Sequence, residues 1–387
     1  MAIPYWRLSG FYFFYFATVG GLLPYWSLYL KDSGFNAIQI GELSALLIST
    51  KIVAPNIWGW IADHTGKSLR LIRLASLFAA LVFAGFLITE HYLGFAVVTL
   101  VFSFFWNAVL PQFEAVTLFH LKEHAYRYSQ IRLWGSVGFI ITVLSTGRLL
   151  DTEPVNFLPW VVIGLLGLSW LVTLLTPEAN ISSSNVCSVG LGQILKKPEV
   201  IAFFVVNILV QMAHSPYYVF YSLYLKSNHY SATVTGLLWS LGVVCEIVLF
   251  IYMSQLLKNV SLRNILLVSL LLSAMRWFVI AWFPETLVLM TLAQLLHAAT
   301  FGGVHVAAIH LVHLYFGAEH QGKGQALYAS LSFGIGGIFG SLYSGYYWES
   351  LGGRFVYSIA ALLCILAWFI CYRWVGRKNT QKVYSIG

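Results

Sequence analysis

Ser27-Leu28-Tyr29-Leu30-Lys31 recurs as Ser222-Leu223-Tyr224-Leu225-Lys226, and the same offset pairs Ala37 with Ala232 and Gly41 with Gly236. A match that holds its register from the end of one apolar segment to the start of the next indicates a duplication. Reading outward from it, each copy contains segments long enough to cross a bilayer, which takes about 20 residues. Twelve such spans are expected, at 8–30, 38–62, 69–89, 93–120, 129–149, 156–176, 200–225, 233–257, 262–283, 286–315, 324–348 and 355–375. The halves are then residues 1–176 and 199–376. They are joined by a polar stretch, 177–198, whose Ser182-Ser183-Ser184 run reads as a cytoplasmic linker. Residues 377–387 form a cytoplasmic tail. The fold class that follows is an all-α polytopic membrane protein with twelve transmembrane helices in two six-helix pseudo-repeats.

Composition points the same way. Of the 387 residues, 59% are hydrophobic and 9% charged, and mean hydropathy is +0.78. Soluble domains carry about 25% charged residues, so a soluble enzyme is excluded. The net charge of +8 follows the membrane rather than a nucleic acid. With both termini in the cytoplasm, most Lys and Arg fall on that side. Only Lys31, Arg148, Lys226 and Arg354 lie outside, as the positive-inside rule requires. The first apolar segment is too long for a signal-peptide core and lacks a small-residue cleavage site. Cys245, Cys364 and Cys371 lie in spans and Cys187 in the linker, so free thiols are expected rather than disulfides. Parallel repeats of this kind are a transporter plan, with the binding site near the bilayer midplane.

Five charges sit where hydrocarbon is expected: Lys51, Glu114, Arg132, Glu246 and Arg276. Each costs roughly 2.5–3.5 kcal/mol to place at the centre of a span, and such residues persist facing a partner or a watery cavity. The repeat offset puts Lys51 in register with Glu246, a cation and an anion at equivalent depth. The plainer alternative is an ion pair that only fixes packing. No P-loop, nucleophile elbow or CxxC is present, so neither ATP use nor covalent catalysis nor a cofactor is expected. Span 10 carries His297, His305, His310 and His313. His297 and His305 are eight residues apart, about 80° around an ideal helix, so both can border one cavity. Metal ligation is not expected. A proton relay through His297 is the sharper reading, since histidine titrates near neutral pH. The glycines of span 11, Gly334, Gly336, Gly337, Gly340 and Gly345, favour close helix packing over a hinge.

The stretch Gly59-Trp60-Ile61-Ala62-Asp63-His64-Thr65-Gly66-Lys67 resembles the cytoplasmic G-x-x-x-D-x-x-G-[RK] loop of the major facilitator superfamily. That resemblance implies a gating loop of Gly59, Asp63, Gly66 and Lys67, with Asp63 capping the next helix or meeting basic residues. Pro111-Gln112-Phe113-Glu114 and Arg132-Leu133-Trp134-Gly135-Ser136 resemble the oligosaccharide:proton symporter family, that of lactose permease. In that family the acid and arginine bind substrate, and Arg276 and His297 match its coupling pair. Phe139 stands where that family stacks a sugar on tryptophan, Thr300 where it keeps its proton-carrying glutamate, and Val243 where it keeps a span-8 acid. A nearer resemblance, carried by Leu238-Trp239-Ser240-Leu241-Gly242-Val243-Val244, Glu246 and Leu296-His297, is to the bacterial 3-phenylpropionic acid transporters. These share a basic residue at the Lys51 place and a histidine at the His305 place.

The resemblance and the residues together lead to one expectation, a proton-coupled symporter of a small organic anion such as 3-phenylpropionate. Lys51, Glu114 and Arg132 would bind substrate, with Tyr25, Trp26, Phe139, Tyr217 and Tyr218 against its apolar body. Glu246 would carry the proton, modulated by Arg276, His297 and His305. The expected partners are a small molecule, protons and the lipid bilayer, with no nucleic acid, and the protein would work as a monomer in the inner membrane. A proton-coupled sugar or nucleoside permease is the alternative within this class. A membrane sensor or intramembrane enzyme on the same scaffold is the alternative outside it.

Overall fold

A computed structural model of the chain describes residues 3–178 and 191–376. Most of the expected linker, including Cys187, and the tail 377–387 lie outside the described residues. The helices are α1 (Tyr5–Leu22), α2 (Trp26–Asp32), α3 (Ala37–Thr65), α4 (Ser68–Phe83), α5 (Tyr92–Leu121), α6 (Tyr128–Leu150) and α7 (Leu158–Leu175), then the short α8 (Leu191–Leu195). The second series is α9 (Pro198–Ser227), α10 (Ala232–Asn259), α11 (Leu262–Trp282), α12 (Leu287–Leu295), α13 (Val304–Tyr328) and α14 (Gly337–Trp374).

Among the described residues, ten helical stretches are long and apolar enough to cross a membrane. The last, Glu319–Trp374, has 56 residues and would extend about 84 Å at 1.5 Å per residue. It is two spans, divided at Gly352, whose φ of +79° is open to glycine but strained for other residues. The aromatic α1 falls short of the same apolarity yet packs extensively against α6 and α7. With it the spans number twelve. Leu81, Leu175 and Val288 are among many large apolar side chains left more than half exposed, as expected of a surface solvated by lipid rather than water.

The helices gather into two compact units. One lies within Met1–Ser184 together with Tyr221–Ser240, the other within Asn185–Phe220 together with Leu241–Gly387. In the first, α3 and α4 pack on α5, and α4 also packs on α7. Gly20 lets the backbones of α1 and α6 meet, since a Cβ there would lie 2.6 Å from the Phe139 carbonyl oxygen. In the second, α11 packs on α14, and Gly336 and Gly340 lie against the backbone of α9 at Ile208 and Met212. The glycine stripe of span 11 is thus a packing surface at these two positions.

Regular helix is interrupted near the expected site residues. Pro24 separates α1 from α2, Pro111 lies three residues before Glu114, and Pro216 lies beside Tyr217. Proline cannot donate to the carbonyl four residues back; the Met212 carbonyl accepts from the Tyr343 hydroxyl at 3.4 Å instead. Two π-helical segments, Ala298–Gly303 and Ala329–Gly336, flank α13. Such wide turns recur at functional sites.

Candidate functional site

In the second unit, the centre of the polar constellation is Arg276 on α11, with no exposed surface. Its Nη1 donates to His297 Nδ1 at 3.0 Å and to Thr300 Oγ1 at 3.2 Å, and its Nη2 donates to Gln294 Oε1 at 3.1 Å. The guanidinium lies 4.5 Å from the ring centres of both Tyr217 and Trp277. The Tyr217 hydroxyl donates to the same Gln294 oxygen at 3.1 Å. These three hydrogen-bond acceptors on the cation are all neutral. Charge-assisted bonds are worth about 1.5–3 kcal/mol each, and a desolvated cation–π contact about 2 kcal/mol. These offset the several kcal/mol needed to dehydrate an ion while leaving its charge uncancelled by those partners.

Arginine can only donate, so His297 must present a bare Nδ1 and carry its hydrogen on Nε2. Thr300, at the place where the resembling sugar symporters keep an acid, accepts from Arg276 and donates to the His297 carbonyl at 3.2 Å. Gly242 on α10 makes room for the imidazole: a Cβ there would sit 3.1 Å from His297 Cδ2. The Trp239–Val244 run and Leu296-His297, which carried the resemblance separately in sequence, thus touch in space. One turn beyond Gly242, Glu246 lies against Gly302 of the π segment; a Cβ on Gly302 would be 3.4 Å from its Cγ. Glu246 is also within electrostatic reach of Tyr217 and Tyr218.

His297 and His305 do not diverge by the 80° of an ideal helix. Both rings stack on Phe301, with centroids 5.6 and 6.2 Å from it and planes 8° and 5° from parallel. The wider π turn brings these positions onto one stripe. His305 Nδ1 is 3.2 Å from the Tyr328 hydroxyl. Further along α13, His313 donates from Nδ1 to Gln321 Oε1 at 3.1 Å. No group of three His, Cys, Asp or Glu among the described residues is placed to hold a metal ion.

In the first unit the acid and the arginine take separate partners. Glu114 accepts from the Tyr128 hydroxyl at 3.0 Å. Arg132 covers the Phe16 ring at 3.7 Å, with Tyr12 at 5.7 Å. The two charges remain within electrostatic reach without forming a salt bridge. Beside them Tyr15 stacks on Trp106 at 4.2 Å, and Phe11 on Phe113 at 3.6 Å. Lys51, halfway along α3, is exposed and has no hydrogen-bond or ion-pair partner among the described residues.

Three of the expected aromatic contacts lie in helix packing. The Tyr25 hydroxyl donates to the Val143 carbonyl at 2.8 Å and lies 3.3 Å from that of Ala232. Trp26 packs among Tyr29, Phe83 and Phe86. Phe139 is buried beside Trp239, 6.4 Å between centroids. Tyr217 and Tyr218, by contrast, belong to the Arg276 constellation. The expected loop is mostly helix, with Gly59 and Asp63 in the last turns of α3 and Gly66 closing it at φ +65°. The expectation that Asp63 caps the next helix is corrected: the N-cap of α4 is Lys67, and it makes no side-chain cap. Asp63 is exposed and makes no ion pair among the described residues.

Sequence reasoning missed Gln294, Tyr128 and His214. Each had a local signal. Gln294 precedes His297 by three residues and Tyr128 precedes Arg132 by four, spacings that share a helix face. His214 is a titratable group inside an apolar span.

A family model described as the MFS_1 like family matches residues 5–359. The chain is 27% identical over 367 residues to a "Probable 3-phenylpropionic acid transporter" of Escherichia coli (strain K12), covering 93% of this chain and 95% of that protein. It is 34% identical over 142 residues to a maltose permease of Geobacillus stearothermophilus, covering 36% of each. The fold matches a crystal structure of the nucleoside transporter NupG with a TM-score of 0.83 at 18% identity, covering 96% of this chain and 99% of that one. Twelve spans, charges held inside them and a family match over most of its length make this chain a multi-pass membrane transporter of the MFS_1 like family.

Proposed function

We propose that the protein is a proton-coupled symporter of a small organic anion, 3-phenylpropionate or a related aromatic acid. The observation that carries this reading is Arg276, a fully buried cation held by neutral acceptors between two aromatic faces. A carboxylate supplies the charge that these acceptors lack, and Tyr217 and Trp277 offer surface to a ring. The relative named for 3-phenylpropionic acid, alike over nearly the whole chain, supports the same class. Lys51 and Arg132 attract the anion, and Tyr217 and Tyr218 with Glu114 shape the path. Glu246 carries the proton, in an electrostatic setting that Arg276, His297 and His305 modulate. Gly59, Asp63, Gly66 and Lys67 belong to the gate at the cytoplasmic end. One copy suffices, set in the inner membrane with both termini in the cytoplasm.

The test is uptake of labelled 3-phenylpropionate into proteoliposomes under an imposed proton gradient. Accumulation should collapse with a protonophore, and Glu246→Gln should retain exchange but not accumulate. Accumulation that survives the protonophore ends the coupling claim. Binding of maltose or a nucleoside with no response to any aromatic acid ends the substrate claim.

A further inference from the structure

Two buried histidines lie within electrostatic reach of Arg276, and their ring nitrogens are in opposite situations. His297 has its bare nitrogen occupied by the guanidinium. His214 on α9 is also fully buried. Its Nδ1 lies 2.8 Å from the Val210 carbonyl, and a carbonyl can only accept, so Nδ1 carries the hydrogen. Its Nε2 is then a bare lone pair, and it has no hydrogen-bond partner among the described residues. Buried polar atoms are rarely left so, and each exception calls for a reason. The ring stands edge-on to Trp277, 4.9 Å between centroids at 89°, and 6.3 Å from Phe301 and Tyr218.

We propose that His214 takes up a proton on Nε2 when the transported anion binds at Arg276. One N–H bond forms, with a proton delivered by water entering with the substrate. No bond of the anion changes, and the proton leaves the same nitrogen when the anion departs. The charge count favours joint entry. A proton alone would place a second positive charge near Arg276 in a dry interior, where Coulomb energies are large. An anion on the guanidinium cancels one of them, so anion and proton together leave the net charge unchanged. The other titratable groups facing this region are Tyr217 and Tyr218 on the same helix, Arg276 on α11, His297 before the π segment, Glu246 on α10, and Tyr357 and Cys364 on α14. Among the two histidines, only His214 gains a proton without surrendering a hydrogen bond to Arg276. It adds a second proton site to the Glu246 of the proposed function, and it rests on that reading of an anion symporter.

The test is proton uptake by the purified, detergent-solubilised protein on addition of 3-phenylpropionate, followed with a pH indicator, together with the pH dependence of Kd. In wild type, protons should be taken up with the anion, and Kd should rise up to about tenfold per pH unit where uptake is complete. His214→Asn keeps a donor for the Val210 carbonyl but has nothing at the Nε2 position, and His214→Gln places a non-titrating amide there. Either should still bind anion, take up fewer protons and show a flatter pH dependence of Kd, whereas Glu246→Gln should retain the share of uptake that belongs to His214. Unchanged uptake in a folded His214 variant overturns the proposal, as does loss of all uptake in Glu246→Gln. If neither histidine variant folds, 15N-histidine spectra of the wild type decide. A new imidazolium signal with bound anion supports the proposal, and its absence overturns it. Wild type that binds none of a panel of carboxylates overturns both the function and this inference, whereas binding without protonation of His214 overturns the inference alone.

Discussion

The two units solve the problem of a membrane-embedded arginine differently. In the first, Arg132 is half-buried, covers an aromatic ring and keeps Glu114 within electrostatic reach. In the second, Arg276 is sealed from solvent, and its hydrogen-bond partners are a histidine, a threonine and a glutamine. The first arrangement is already close to charge-balanced and can be reached by water. The second holds a cation that a bound anion would balance. On the proposed reading, a duplicated scaffold would hold a steering group in one unit and an anion-completed site in the other.

The largest expected effect comes from removing that second cation. Arg276→Gln should lower anion affinity on the order of 100-fold, the worth of a paired set of charge-assisted bonds, as read by isothermal titration. Its thermal midpoint should fall little, because the cost of dehydrating the charge is relieved as its hydrogen bonds are lost. A large drop in stability with affinity intact would reverse the roles assigned to the two units. Next is Gly242→Leu, which forces a side chain into the space of the His297 ring. Overpacking of this kind costs about 1–3 kcal/mol, and transport should fall more than binding because the Arg276–His297 bond is displaced.

Arg132→Gln should weaken uptake roughly tenfold, and salt should weaken the wild type towards the same level, since an accessible charge acts by steering. An effect as large as that of Arg276→Gln would erase the distinction between the units. The smallest effect concerns Asp151, which follows α6. Its two carboxylate oxygens accept from the backbone amides of Ala232 and Thr233 at 2.7 and 3.0 Å, capping the first turn of α10. Burial alone would raise its pKa, but the bonds from Thr233, Ala232 and Ser231 outweigh it and hold the carboxyl below the usual 3.8. A depressed carboxyl stabilises the fold at neutral pH, and that contribution fades as pH falls through its lowered value. Asp151→Asn should cost about 1 kcal/mol by thermal unfolding near pH 7. The gap to wild type should close in strong acid; a constant gap would show that the charge plays no part.

Apolar length, charge asymmetry and an in-register repeat are local properties, so the spans were legible residue by residue. Helices α3, α6, α9, α10 and α11 begin and end within three residues of expectation. The five embedded charges were legible too, because hydrocarbon makes any ion conspicuous. What each charge touches was not. Glu114 and Arg132 look like partners on paper and take Tyr128 and Phe16 instead, because side-chain reach and helix rotation are set by packing. The eight-residue spacing of His297 and His305 reads as a divergence until a π turn, held among packed helices, stacks both rings on Phe301. Tyr25 and Trp26 read as cavity aromatics and are packing residues, a difference that depends on which face each helix turns inward. His214 is the clearest case. Its sequence neighbourhood shows only a histidine in an apolar span. That one ring nitrogen is satisfied by its own helix and the other left bare in a buried, electropositive setting is a property of three-dimensional packing. The amino-acid order alone determined that this chain crosses a membrane twelve times in two related halves. The tertiary structure alone decided which of its buried polar atoms have partners, because hydrogen bonding at fixed geometry joins residues that no local pattern links.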